Sequence, residues 1–291
     1  MLNRREILRL AASAGATTAF LPGNARAADD GQSAGFRIVD TNVSLFHWPF
    51  RRLPLDETDA MVRKLQTLGI GQAWAGSFEG ILHRDISGVN ERLISACRRV
   101  PELVPIGSVN PALPGWESDL QRSIEHGMPG IRLHPNYHGY SLDDARFAEL
   151  LKRTTAAGQF IQIAASLEDG RTHTDLVRIA DVDLSPLPTL MPTVPGARVQ
   201  LLNHKLRAPL LRQLASTPGI YFDTARVEAT DGVPQLVKSV PSGRVLFGTH
   251  APFLIPEAAL IRTHESGLLD ASALRAVLAG NAGSLLRGRE A

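Results

Sequence analysis

The feature that most constrains this chain is a repeated alternation. Eight short apolar runs, at 36–43, 70–77, 103–110, 130–135, 160–166, 198–204, 220–225 and 244–251, punctuate it from one end to the other. Between most of them lie stretches with apolar positions at helical spacing, as at 59–68, 90–100, 116–126, 143–157, 208–216 and 257–266. Strands that alternate with helices pair in parallel through right-handed crossovers. Eight such units close most simply into an α/β fold, a single-domain (β/α)8 TIM barrel. The competitor is a doubly wound open sheet, which usually carries a glycine-rich phosphate turn after its first strand. Here that segment reads Asp40-Thr41-Asn42-Val43, without glycine. No linker rich in Gly or Ser and no internal repeat interrupts the pattern. The Pro-rich piece from Ser185 to Pro195 reads as a loop around a short helical turn. A last helix near 271–286 caps one end of the barrel or packs on its outside.

The N-terminus reads differently. Asn3-Arg4-Arg5-Glu6 is followed by a moderately apolar stretch from Leu10 to Leu21 and by the small-residue site Ala25-Arg26-Ala27. These three parts in order make a secretory signal, and the adjacent arginines mark the twin-arginine route. The bland alternative is an amphipathic first helix. The expectation is therefore a signal peptide at residues 1–27 and a barrel domain at 28–291, in a protein exported to the periplasm or otherwise by that route. About 260 residues remain, the usual size of one barrel. The leader holds four arginines and one glutamate, so a whole-chain charge of +2 leaves about −1 on the rest. With no basic stripe, nucleic acid is not an expected partner. The chain is 44% hydrophobic and 21% charged, enough to bury a sizeable core. It has no apolar run near the ~18–20 residues of a membrane span. The expected partner is a small-molecule substrate, and an oligomer is compatible with the sequence. Cys97 is the only cysteine and reads as a buried helix position.

In a barrel of this kind the active site lies at the C-terminal ends of the strands, and those ends are polar here. They carry Asp40 and Asn42, Ser108 and Asn110, Arg132, His134, Asn136, Tyr137 and His138, Ser166, Asn203 and His204, Asp223, and Thr249-His250. Side chains alternate along a strand. On the fourth run Arg132 and His134 share the face opposite Ile131 and Leu133, which places them inside the barrel. On the sixth, Gln200 groups with His204, which weakly favours His204 over Asn203 as the inward residue. His134, His204 and His250 then sit at the tips of strands four, six and eight, which contribute to one barrel layer. Three histidines with an open fourth position can hold a zinc-like ion and activate its water. Equally, each can be a hydrogen-bonding residue, or His250 an acid/base, with no metal bound.

Four segments carry a resemblance: 38–43 (IVDTNV), 130–135 (GIRLHP), 219–224 (GIYFDT) and 244–253 (RVLFGTHAPF). Together they resemble the amidohydrolase-related (amidohydrolase 2) family of metal-dependent barrel hydrolases and decarboxylases, over nearly the whole mature chain. The resemblance implies a first strand of Asp-x-His-x-His, but the matching residues are Asp40, Asn42 and Ser44. The family's catalytic aspartate on strand eight is matched by His250. The histidine implied at the end of strand five is replaced by small residues around Ala165 and Ser166, while His204 keeps the one on strand six. Asn and Ser are poor zinc ligands.

Loops add further candidates. His47 lies on the loop surface or swings towards the mouth. Trp48-Pro49-Phe50-Arg51-Arg52 forms a lid or a structural loop anchored by Trp48. Glu168, Asp169, Arg171, His173 and Asp175 read by default as a charged, solvated loop, with proton transfer by Glu168 as the sharper alternative. The expected function is that of a hydrolase acting on a small anionic or cyclic substrate. Asp40, His134 and His250 would activate water, and Asn42, Arg132, Tyr137, His138 and Asn203 would hold the substrate. One divalent, zinc-like metal would be bound by His134, His204 and His250, or none at all. Decarboxylation is the alternative within the same superfamily. A degenerate barrel that binds a ligand or a partner is the alternative outside catalysis.

Overall fold

The computed structural model describes residues 37–174, 177–265 and 267–288. The expected leader, residues 1–27, lies outside the described residues, and so does Asp175. The strands are β1 (Ile38–Leu45), β2 (Ile70–Ser77), β3 in two pieces (Leu103–Pro105 and Gly107–Ser108), β4 (Gly130–Leu133), β5 (Phe160–Ala164), β6 (Val199–Leu202), β7 (Ile220–Asp223) and β8 (Val245–Leu246). All pairings are parallel and follow chain order. The two pieces of β3 divide their partners, the first pairing with β2 and the second with β4. The ring closes between β8 and β1, where the Thr41 and Ser44 amides donate to the Phe247 and Ala251 carbonyls, each at 2.9 Å. The eight-unit expectation is thus realised as a TIM barrel.

The helices are α1 (Thr58–Thr67), α2 (Ile86–Arg98), α3 (Trp116–Glu125), α4 (Ala145–Ala156), α5 (Ala208–Ser216), α6 (Gly232–Ser239) and α7 (Pro256–His264). Side-chain caps set several starts. Asp85 accepts from the Gly88 amide, so α2 begins four residues before the apolar spacing suggests, and Asp144 caps α4 through the Arg146 amide. After β5 the described residues form one short α-helical turn, Leu187–Leu190, inside the expected Pro-rich loop, with 3-10 turns at Gly170–Thr172 and Met191–Thr193. No helix among the described residues is long and apolar enough to cross a membrane.

Outward-facing strand residues such as Ile131, Leu133, Ile161, Ile163, Val199 and Leu201 pack under the helices in one large cluster. Each fully buried side chain of that size contributes roughly 1.5–3 kcal/mol. Inside the barrel the layers differ in chemistry. The bottom layer is apolar, built from Trp74, Ile106, Phe160, Tyr221 and Leu246, and Ala282 and Leu285 of the C-terminal helix (Asn281–Arg287) close it from below. That helix therefore caps one end, as one of the two sequence readings has it. Above this layer the interior is polar.

Candidate active site at the barrel mouth

The polar layer is organised by Arg132. Its guanidinium donates to Gln162 Oε1 (2.9 Å), the Val43 carbonyl (2.8 Å), Ser44 Oγ (3.1 Å) and the Trp74 carbonyl (3.3 Å). Gln162 passes the chain on to the Thr41 carbonyl and to Gln200 Oε1, and Gln200 donates to Thr41 Oγ1. Gly76 makes room for this, since a Cβ there would lie 2.8 Å from Arg132 Nη1. Arg132 lies inside the barrel, on the face that alternation along its strand predicts. Its expected role as a substrate anchor needs correction, because four of its five N–H groups are committed to the barrel wall. A buried network with this many mutual hydrogen bonds fixes geometry.

At the upper end of the wall, Asp40 Oδ1 accepts from the Asn42 and Thr249 amides, each at 3.0 Å, and Oδ2 from Thr249 Oγ1 at 2.5 Å. Burial raises the pKa of Asp40, and these hydrogen bonds act against the rise. Expected to activate water, Asp40 instead ties β1 to the residue before His250. His250 has a left-handed backbone (φ 58°), a rare conformation for a non-glycine residue that the Thr249 anchor helps to hold. Its Nε2 donates to the Leu167 carbonyl at 2.7 Å, and burial pushes its pKa down to about 3. Beside it, Asn42 Nδ2 donates to Asn203 Oδ1 (2.8 Å) and Asp223 Oδ2 (2.6 Å), while the Asn203 amide donates to Asp223 Oδ1 (3.1 Å). Burial raises Asp223 to about 7.

Asn203 also corrects the register argument. The strand ends at Leu202, and Asn203 turns left-handed (φ 56°), so the period of two does not extend past it. Its side chain reaches the centre of the mouth, while His204 lines a separate cavity between α5 and α6.

An aromatic cluster covers the centre. Trp48, 3% exposed, meets Phe50, Phe78, Tyr137 and Phe253 edge-on with ring centroids 5.0–6.0 Å apart. The Trp48 segment is thus anchored, and His47 stays on the exposed loop against Glu57. Next to this plug, a cleft at the ends of β4 and β5 is lined by His134, Asn136, Tyr137, Ser166, Glu168 and His173, among others. His134 is buried, and burial first, then His138 and Arg132, hold it neutral with a pKa well below the usual value. Its Nδ1 has no hydrogen-bond partner among the described residues. Glu168 is buried, not solvated. Its Oε1 accepts no hydrogen bond among the described residues and faces only the Arg51 guanidinium, at 3.5 Å. Burial and then Glu168 raise the Tyr137 pKa, so its phenol stays protonated. His138 does not line this cleft. Its Nε2 donates to the Gly80 carbonyl at 2.9 Å, which corrects its expected substrate role to a structural one.

The expected three-histidine metal site does not form. His134, His204 and His250 do not bring their ring nitrogens together, because Asn203 turns His204 away and Leu167 holds His250. The positions that the family resemblance assigns to ligands fit a divalent ion no better. Asn42 presents its NH2 to Asn203 Oδ1, an acceptor because Asn203 Nδ2 donates to the Ser166 carbonyl at 2.9 Å, which fixes the Asn42 amide's orientation, and Ser44 Oγ accepts from a guanidinium. The one set of described residues whose ligand atoms lie within 4.8 Å of one another is His47, Asp56 and Glu57. There Arg52 already supplies the cation, donating to Asp56 at 2.6 and 3.0 Å and to Glu57 at 3.0 Å. These contacts hold the Asp56 carboxyl down at about 2.

The fold and the polar mouth define a class, and sequence comparison agrees with them. The model of the amidohydrolase family (amidohydrolase 2) matches residues 39–288, and the chain belongs to that family. No curated protein matches the chain. Among solved structures it resembles 2,6-dihydroxybenzoate decarboxylase from Rhizobium (12% identity, TM-score 0.67, covering 86% of this chain and 98% of the other). It also resembles 5-carboxyvanillate decarboxylase from Novosphingobium aromaticivorans, solved with bound manganese (13%, TM-score 0.68, 87% and 97%). A third similar structure, from Pseudomonas putida, is proposed to be a 2-pyrone-4,6-dicarboxylic acid hydrolase (16%, TM-score 0.61, 88% and 100%).

Proposed function

We propose that this chain is a hydrolase that opens a small carboxylated ester or lactone at the cleft between β4 and β5, whose interior of about 10 Å³ holds a water beside His134 while the substrate binds over its mouth. The observation that carries this reading is His134, a buried, neutral imidazole whose Nδ1 lacks a partner among the described residues in a cleft shared with Tyr137 and Glu168. A neutral imidazole in that position can take a proton from water as the water oxygen attacks the substrate carbonyl carbon. The Tyr137 phenol donates to the carbonyl oxygen as negative charge develops there. The carbon–oxygen bond then breaks, and His134 returns the proton to the leaving oxygen. Glu168, neutralised by Arg51, orients the attacking water. Asp40, Asn42, Asp223 and His250 brace the wall behind the cleft, and no step is routed through a metal.

Decarboxylation is the second reading. Structures with similar folds are named as decarboxylases of ring carboxylic acids, and the third as a hydrolase of one. A panel of carboxylated lactones, aryl esters and hydroxybenzoates separates the two. Hydrolysis releases a proton at neutral pH, whereas carbon dioxide loss takes one up, so a pH-stat at pH 6 reads the sign. His134→Gln should lower kcat about 10²–10⁴-fold. Turnover that is unaffected by His134→Gln and by Tyr137→Phe would refute the assignment of this cleft. Saturable binding without turnover across the panel would favour the degenerate, ligand-binding barrel. Export by the twin-arginine route belongs to this proposal as the protein's location.

A further inference from the structure

We infer that a second ligand site lies between α5 and α6, and that it takes a small 2-hydroxycarboxylate. The cavity opens at the ends of β6 and β7, encloses about 280 Å³ and shares no lining residue with the His134 cleft. Leu206, Leu211 and Leu236 give it apolar walls. This combination of apolar walls and a few convergent polar groups is what small-ligand sites present.

Two buried polar atoms at this cavity lack partners among the described residues: His204 Nε2 and Arg226 Nε. They ask for opposite things. The Asp223 backbone beside the ring favours a proton on the imidazole, and with Nε2 unpartnered among the described residues that proton belongs on Nδ1, which leaves Nε2 as an acceptor. Its imidazole is 95% buried, and burial keeps it neutral. Arg226 Nε, by contrast, can only donate. A carboxylate alone satisfies Arg226 but offers His204 no proton. An amine offers His204 a proton but is repelled by Arg226 and Lys205. A carboxylate with an adjacent hydroxyl satisfies both, the anion on Arg226 and the hydroxyl proton on His204 Nε2. The rest of the lining favours an anion. Arg226 and Lys205, the latter shared with Asp181 at 3.7 Å, outnumber the single lining acid, Glu228, and α6 begins at the cavity with Gly232, its preceding Asp231 making no side-chain cap.

The site exists because of Asn203. Its left-handed turn sends its own side chain to the barrel centre and leaves His204 facing the α5–α6 cavity. The inference does not depend on which reaction the other cleft performs.

Calorimetric titration of the whole protein with lactate and with mandelate tests it, using propionate and phenylacetate as partners that lack the hydroxyl. At least one hydroxy acid should bind, and at least tenfold more tightly than its hydroxyl-free partner. Arg226→Met should weaken that binding at least tenfold. His204→Phe should reduce the hydroxy acid to the level of its partner while leaving the partner's own affinity unchanged. Ser239→Trp, at the exposed rim, should block the cavity without disturbing buried groups, and so serves if the His204 variant does not fold. Failure of both hydroxy acids to bind would overturn the inference. So would equal binding of each pair, or hydroxy-acid binding that is indifferent to Arg226→Met and Ser239→Trp.

Discussion

Asn42 Nδ2 donates to Asp223 Oδ2 at 2.6 Å, and through that contact the first strand of the barrel is fastened to the seventh. The same amide nitrogen reaches Asn203 on the loop after the sixth strand. Asn42→Ala would leave two buried acceptors without their donor, at about 1–3 kcal/mol each. Asn42→Asp should be worse, and in a pH-dependent way. Asp223 has a pKa raised to about 7, so at pH 5 it holds a proton and tolerates a second carboxyl. At pH 8 both are ionised and repel. Urea denaturation should show Asn42→Asp losing more stability at pH 8 than at pH 5, and equal losses at both would contradict the pairing.

Arg132 is the second test, because the substrate-anchor and wall-brace readings diverge there. As a brace, its removal strips donors from Gln162, Val43, Ser44 and Trp74 and takes a cation from Asp40 and Asp223. Breaking a buried charged arrangement from one side costs about 3–5 kcal/mol. Arg132→Met should therefore lower Tm by about 10 °C. A raised KM with unchanged Tm would instead restore the anchor.

The contrast between Arg132 and Asn203 shows what the sequence makes legible. Period two on β4 and β5 and helical spacing between strands suffice for the barrel, because burial enforces both patterns. The same alternation places Arg132 inside correctly. It does not say whether an inward group meets a substrate or the opposite wall, since that depends on partners more than 80 residues away, such as Val43. At Asn203 and His250 the backbone itself turns left-handed, and alternation no longer applies. Glu168 reads as a solvated loop residue for a related reason. Its partner Arg51 comes from a different loop, and no local pattern joins the two. Asp223 was visible within a family-like segment, but its importance comes from Asn42, which stands where the resemblance expects a histidine.

The proposed location has its own test. Arg4→Lys with Arg5→Lys should leave full-length protein in the cytoplasm, whereas the unaltered chain should be recovered outside it with Ala28 as its first residue. Mass spectrometry of the fractionated protein checks both. Unaltered protein that retains Met1 in the cytoplasm would overturn the export reading.

The buried histidines make the barrel acid-sensitive. Burial lowers His138 and His204 to about 4 and His250 to about 3, and His134 also falls well below its usual value. In the unfolded chain each takes a proton near pH 6.5. Between that pH and about 4 the unfolded state therefore binds protons that the folded state refuses, and stability falls as pH falls. Asp223 and Asp40 act in the opposite direction. Their raised folded values let the native state hold protons that the unfolded chain releases above about 4. The four imidazoles outnumber the two carboxyls, so the balance lies with the refused protons and stability falls with pH, at about 1.4 kcal/mol per pH unit for each net proton. Urea midpoints at pH 6.5, 5.5 and 4.5 should fall accordingly. His138→Gln, whose amide can still donate to the Gly80 carbonyl, should flatten the slope by about one proton, roughly 1.4 kcal/mol per pH unit. Stability that stays level down to pH 4.5 would mean that these imidazoles protonate within the folded barrel, and with it the neutral base assigned to His134 would be lost.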